Sequence, residues 1–178
     1  SGLSETKNPK KNQSKLISFV IKFALFITLP IIALLLVFSR EIILFFSQPQ
    51  YLPAAGLLPI VAVAALFLGI GQILVSNIFA IGRPKATRNI TIAVTLLFLL
   101  TSIPATYMFS TFGMAYSYLI SMIVLVLASY FYLRKAIDLR LNWAAIGKIF
   151  AATLVFAAFT FPINMVVGSV GLKVATIL

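Results

Sequence analysis

Long stretches without charge constrain this chain more than any other feature of its sequence. No charged side chain occurs between Ile42 and Gly82, or over the 45 residues from Asn89 to Leu133. Each stretch exceeds the roughly 20 residues with which a helix crosses the hydrocarbon core of a bilayer. Because 62% of the chain is hydrophobic and only 10% is charged, a soluble core with an ordinary wetted surface is excluded. The sequence predicts an all-α integral membrane protein built as a helical bundle.

Polar loops and prolines divide the apolar sequence into spans. The charge-free stretch after Asn89 is too long for one span, so we predict a helical hairpin that turns at Tyr107–Gly113. Residues 41–46 are predicted to form a short interfacial helix or turn. A basic segment, 1–15, precedes the membrane domain, 16–178. We predict about five complete spans, near 16–38, 54–81, 89–108, 113–133 and 143–163, and interpret 169–178 as a truncated sixth.

Positive charges alternate between the predicted loops and give the chain an orientation. Segments 1–15, 82–88 and 134–142 together hold ten Lys and Arg, whereas the loop near 39–53 holds Arg40 alone and the hairpin turn holds none. Basic loops stay on the cytoplasmic side of a membrane. The sequence therefore predicts a multi-pass protein of the cytoplasmic membrane. Its predicted topology or lipid-headgroup anchors are Arg83, Lys85, Arg88, Arg134, Lys135 and Arg140.

The supply of titratable groups argues against catalysis. The chain has no cysteine and no histidine, and its three acids, Glu5, Glu41 and Asp138, lie far apart in sequence. Paired carboxylates, imidazole bases and thiolate metal sites therefore lack material. We predict no enzymatic activity, no catalytic or metal-binding residues and no cofactor. The net charge of +11 is assigned to membrane anchoring rather than to nucleic acid.

The burst of charge after Gly82 also fails as a nucleotide site. A phosphate-binding loop of the P-loop type needs GxxxxGK[ST] after a strand, and GRPK lacks that spacing. Function must then depend on polar groups within the spans. Lys22 could face a cavity or extend its amine to the cytoplasmic headgroups. Gln72, Ser76 and Asn77 could line a substrate pathway or hydrogen-bond neighbouring helices.

Several segments resemble the Wzx-type polysaccharide flippases of the multidrug/oligosaccharidyl-lipid/polysaccharide superfamily. FALFITLPIIALLLVFSREIILFF is similar to a family helix with a central proline followed by a short apolar segment. LPIVAVAALFLGIGQILVSNIFAIGRPKATRN is similar to a family helix that ends in a small residue, Gly and basic residues. IPATYMFSTFGMAYSYLIS is similar to its helix connection.

This resemblance implies a fragment of the second lobe of a two-lobe transporter. Such a flippase would move an isoprenoid-phosphate-linked saccharide across the membrane by alternating access, with the remainder of the transporter and the membrane lipids as partners. Two alternatives stay open: a multidrug or cation antiporter of the same superfamily, and a multi-pass membrane scaffold without transport. The antiporter is disfavoured because no predicted span contains Asp or Glu.

Overall fold

Helices make up nearly all of the described structure, a computed structural model that covers residues 9–46, 49–137 and 143–175. No strand occurs within these ranges. Three helical segments are long and apolar enough to cross a membrane, and Ala144–Thr160 forms a shorter apolar helix. The predicted all-α membrane bundle is confirmed. The helices are α1 (Pro9–Val37), α2 (Ser39–Phe46), α3 (Leu57–Ala80), α4 (Pro84–Ile137) and α5 (Trp143–Ala175), with a 3-10 segment at Pro49–Gly56 before α3.

Helix α1 contributes one stripe to the centre of the bundle. Its buried aliphatic side chains recur every fourth residue, the spacing that places them on one face. They pack against Leu74 and Ile78 of α3 and against the end of α4. Its phenylalanines point the other way, and Phe19 and Phe26 are each 65% exposed. Exposed apolar side chains suit a helix whose outer face meets lipid. The buried stripe of α1 comprises Ile17, Ile21, Leu25 and Leu29.

Helix α4 folds back on itself at Ser110. A straight helix of 54 residues would be about 80 Å long, whereas the hydrocarbon core is about 30 Å thick. Ser110 has non-helical torsion angles, φ 51° and ψ −136°. Beyond it the chain returns, since the rings of Phe98 and Tyr118 meet edge to face with centroids 6.0 Å apart. The kink lies within the turn predicted at Tyr107–Gly113.

Gly113 permits the tight return at this kink. A Cβ atom added there would overlap the backbone carbonyl of Ala105. Glycine is the residue that leaves room for such a close backbone approach. The two halves of α4, 84–109 and 111–137, therefore form the two arms of a helical hairpin.

The returning arm packs on α3 through small residues. Gly71 of α3 faces Leu125, whose Cδ2 atom would lie 2.8 Å from an added Cβ. Small residues allow helix backbones to approach closely in membranes, where the hydrophobic effect does not drive helix association. The buried stripe of this arm has a strict four-residue spacing: Gly113, Ser117, Ser121, Leu125, Ser129, Leu133 and Ile137.

Helix α5 differs from the prediction at its far end. The sequence predicted a span that closes near 163 and a separate segment from 169, but α5 continues through Pro162 to Ala175. A proline inside a helix removes one backbone hydrogen bond. Ending the helix within an apolar sequence would leave several backbone groups without partners, which is more costly in lipid. Helix α1 also continues through Pro30, in agreement with the single span predicted near 16–38.

Candidate functional site

The turn between α3 and α4 brings cations to one end of the bundle. Gly82 has φ 76°, a left-handed conformation that glycine adopts without steric cost. The N–H of Gly82 donates to the carbonyl of Phe79 at 3.0 Å, which closes the end of α3. Pro84 then begins α4, a position where a missing N–H costs nothing. The reversal leaves Arg83 exposed in the turn between α3 and α4.

Arg83 connects this turn to the end of the returning arm of the hairpin. Its Nη1 atom donates to the hydroxyl of Tyr132 at 3.3 Å, across 49 positions of sequence. The predicted basic loop at 82–88 and the described part of the second one, 134–137, therefore lie at the same end of the bundle. Helix α1 reaches this end as well, because Ile17 and Ile21 belong to the same buried cluster as Ile78 and Ile137.

Cationic side chains at this end are exposed and carry no ion pair within the described residues. Among the residues that the structure describes, Glu41 is the one acid, and it follows α1 at the opposite end. Arg140, which was also predicted as an anchor, lies outside the described residues, as does Asp138. The exposed cations that the α3–α4 turn and the two ends of α4 contribute to this basic end are Arg83, Lys85, Arg88, Arg134 and Lys135.

Lys22 lies beside the buried stripe of α1. It follows the buried Ile21, and its own side chain is half-buried. No hydrogen bond or ion pair joins it to another described residue. Lys22 is about 10 Å further along α1 than the exposed Lys15, at 1.5 Å per residue. With respect to the described residues, its amine therefore retains all three donors for a ligand or a headgroup.

The polar residues of α3 separate into two groups. Gln72 and Ser76 are both exposed, on the face opposite Gly71 and Leu74. Asn77 is half-buried instead, and its side-chain amide donates to the carbonyl of Ile73 at 2.7 Å. The structure thus brings Gln72 and Ser76 together but satisfies Asn77 within its own helix. No hydrogen bond joins Lys22 to any of these three side chains among the described residues.

Two grooves flank the tip of the hairpin, away from the basic end. One, of about 430 Å³, is partly polar, and the hydroxyl of Thr106 in its wall donates to the carbonyl of Ser102 at 2.7 Å. The other, of about 360 Å³, is almost wholly apolar and lies between α3 and the tip. The apolar groove has the character of a hydrocarbon contact. It is lined by Leu57, Val61, Phe98, Thr111, Met114, Ala115 and Tyr118.

Sequence reasoning missed two features of the site. The buried serines of α4 were overlooked, although the four-residue recurrence of small residues after Gly113 is visible in the sequence. Tyr132 was also overlooked. Its contact with Arg83 bridges 49 positions, so no local pattern signals it.

Comparison with known proteins identifies the family. The family model of the lipid II flippase MurJ matches residues 1–174. Comparisons with curated proteins and with solved structures gave no match. The superfamily suggested by the sequence resemblance holds, but its assignment to the Wzx-type polysaccharide exporters is not supported. The chain belongs to the lipid II flippase MurJ family, which indicates a membrane flippase for lipid-linked precursors.

Proposed function

We propose that the protein moves a lipid II-type precursor, a saccharide linked through pyrophosphate to an isoprenoid, across the cytoplasmic membrane by alternating access. The observation that carries this proposal is the match of the lipid II flippase family to residues 1–174. The charge balance is consistent with it, because 14 Lys and Arg against 3 acids favour an anionic cargo. Lipid-linked oligosaccharide, the cargo implied by the sequence resemblance, is the second candidate.

The proposed pathway uses the polar groups that interrupt the apolar spans. Lys22 would attract the pyrophosphate, since its amine has no counter-ion among the described residues. Gln72 and Ser76 present hydrogen-bonding groups on an otherwise apolar face of α3. Asn77 contributes less, because its amide already donates to Ile73. The basic end would face the cytoplasm and meet lipid phosphates.

Reconstitution of the full-length protein tests this proposal. Vesicles would carry fluorescent lipid II or a fluorescent lipid-linked oligosaccharide, and a membrane-impermeant quencher would report movement between leaflets. We expect lipid II to move faster than in protein-free vesicles, and faster than the oligosaccharide. Movement of the oligosaccharide alone would identify it, rather than lipid II, as the cargo. Drug efflux without lipid movement would favour the antiporter.

A matched pair of variants tests the role of Lys22. We expect Lys22→Gln to lower the rate of lipid II movement by about tenfold, the order expected when a charged partner is lost. Lys148→Gln removes one exposed cation near the start of α5 and should leave the rate unchanged. Equal rates for the two variants would remove Lys22 from the pathway.

A further inference from the structure

We propose that Arg83 and Tyr132 form a clamp for the phosphate of an anionic membrane phospholipid. This site is independent of the proposed cargo. Arg83 directly precedes α4 and Tyr132 lies near its end, and the two side chains meet with Nη1 and Oη 3.3 Å apart. Arg83 is exposed, so a ligand can approach it from the membrane surface.

The clamp offers two kinds of donor to one phosphate. A guanidinium has five N–H donors, and the contact with Tyr132 uses one of them. The Tyr132 hydroxyl accepts that bond, and its own O–H donates to no other group among the described residues. Accepting a bond from a cation polarises the hydroxyl and makes it a stronger donor. A phosphate that contacts both groups would receive charge-assisted hydrogen bonds from two preplaced donors.

The charge around the clamp favours an anion, and the position of the clamp at the membrane surface indicates that this anion is a lipid headgroup. Lys85 and Arg88 follow Arg83 in the first turns of α4, while Arg134 and Lys135 follow Tyr132 in its last turn. All four are exposed and have no ion pair within the described residues. The groups stand at the end of membrane-length helices, where headgroups lie, rather than in an enclosed cavity. Anionic phospholipid headgroups are the phosphates that a membrane surface supplies there.

The test measures lipid retention by the full-length protein. The protein would be placed in phosphatidylcholine nanodiscs with a rising fraction of phosphatidylglycerol, and bound phosphatidylglycerol would be counted by mass spectrometry. We expect Arg83→Gln to weaken retention about tenfold and Tyr132→Phe about threefold, because each removes a donor to a charged group. Arg83→Lys keeps the charge but loses the planar fork, so it should fall between the native protein and Arg83→Gln.

Two control variants sit at the opposite end of the bundle. Tyr107→Phe removes a hydroxyl from a side chain that is 89% exposed, and Arg40→Gln removes one exposed cation. Both should retain phosphatidylglycerol like the native protein. Thermal stability in pure phosphatidylcholine would show that every variant is folded.

Two results would overturn the clamp. An equal loss of phosphatidylglycerol retention in Arg83→Gln and Arg40→Gln, with no loss in Tyr132→Phe, would show that retention depends on the total positive charge and not on this site. Displacement of phosphatidylglycerol by an equal fraction of an isoprenyl pyrophosphate would assign the site to cargo. Failure of lipid II movement leaves this measurement unaffected, so the two proposals are tested separately.

Discussion

The two halves of α4 have similar lengths and opposite surroundings. In the first half, 84–109, the buried residues are Val94 and Ser102, and Leu100 is 72% exposed. In the second half, 111–137, Ser121 and Ser129 are completely buried. A soluble protein would bury the leucine and expose the serines. In a membrane, apolar side chains lose little by facing lipid, so small size and close packing decide which residues lie between helices.

The serines of the second half pack without leaving most of their hydroxyls unpaired. Ser121 donates to the carbonyl of Ser117 at 2.8 Å, and Ser117 donates to that of Gly113 at 2.9 Å. Bonds to the preceding turn of the same helix satisfy a buried hydroxyl locally. These hydroxyls therefore need no polar partner on a neighbouring helix.

The largest effect is expected where the two halves meet. Gly113→Ala would place a Cβ against the Ala105 carbonyl, a backbone group that cannot rotate away. We expect a loss of about 3 kcal/mol, the upper range for overpacking. The measurement is the free energy of unfolding of the full-length protein in detergent.

Gly69→Ala is the matched control for this change. An added Cβ at Gly69 meets nothing within 4 Å. The substitution should be neutral or slightly stabilising, since alanine favours helix more than glycine. If both alanine variants unfolded alike, the close approach at Gly113 would not be what holds the hairpin.

A leucine in each half tests the comparison directly. Leu133 is completely buried in the cluster shared with α1, whereas Leu100 is 72% exposed. We expect Leu133→Ala to lower stability by about 2 kcal/mol, because it leaves a cavity. Leu100→Ala should change it by less than about 0.5 kcal/mol, since lipid fills the space. Denaturation of both variants under identical conditions measures the difference, and equal losses would contradict the assigned burial.

Small effects of opposite sign are expected at two buried serines. Ser121→Ala removes the hydroxyl bonded to Ser117 and should cost about 0.5 kcal/mol. The Ser129 hydroxyl has no hydrogen-bond partner among the described residues. Ser129→Ala should therefore stabilise the protein by up to about 1 kcal/mol. Melting temperatures of the two variants give the comparison, and a loss in Ser129→Ala would indicate a partner for that hydroxyl.

Prediction from sequence succeeded for the apolar segments and failed at some of their ends. The turn at Ser110 was predicted because a charge-free stretch of 45 residues exceeds one membrane crossing. The break expected near Pro162 is absent, because proline marks a possible end of a helix without requiring one. The thickness of the bilayer sets the length of a membrane span, whereas the surroundings of a proline decide whether a helix ends there.

For the candidate site, the sequence supplied residue types but not their partners. Gln72, Ser76 and Asn77 were predicted together as pathway or helix-packing residues, yet Asn77 is half-buried and bonded to Ile73. One position along a helix rotates a side chain by about 100°. That rotation separates the half-buried Asn77 from Ser76, which lies on the outer face. The local sequence does not reveal where the neighbouring helix lies.

The sequence by itself determined that the chain is an all-α membrane protein with a hairpin and an alternation of basic loops. These properties follow from composition and segment length, because the hydrophobicity and length of each segment decide whether it spans the bilayer. Only the tertiary structure decided which faces are buried and that Arg83 meets Tyr132. Such pairings arise from packing between distant segments, and helix packing in lipid selects small residues that hydrophobicity does not distinguish.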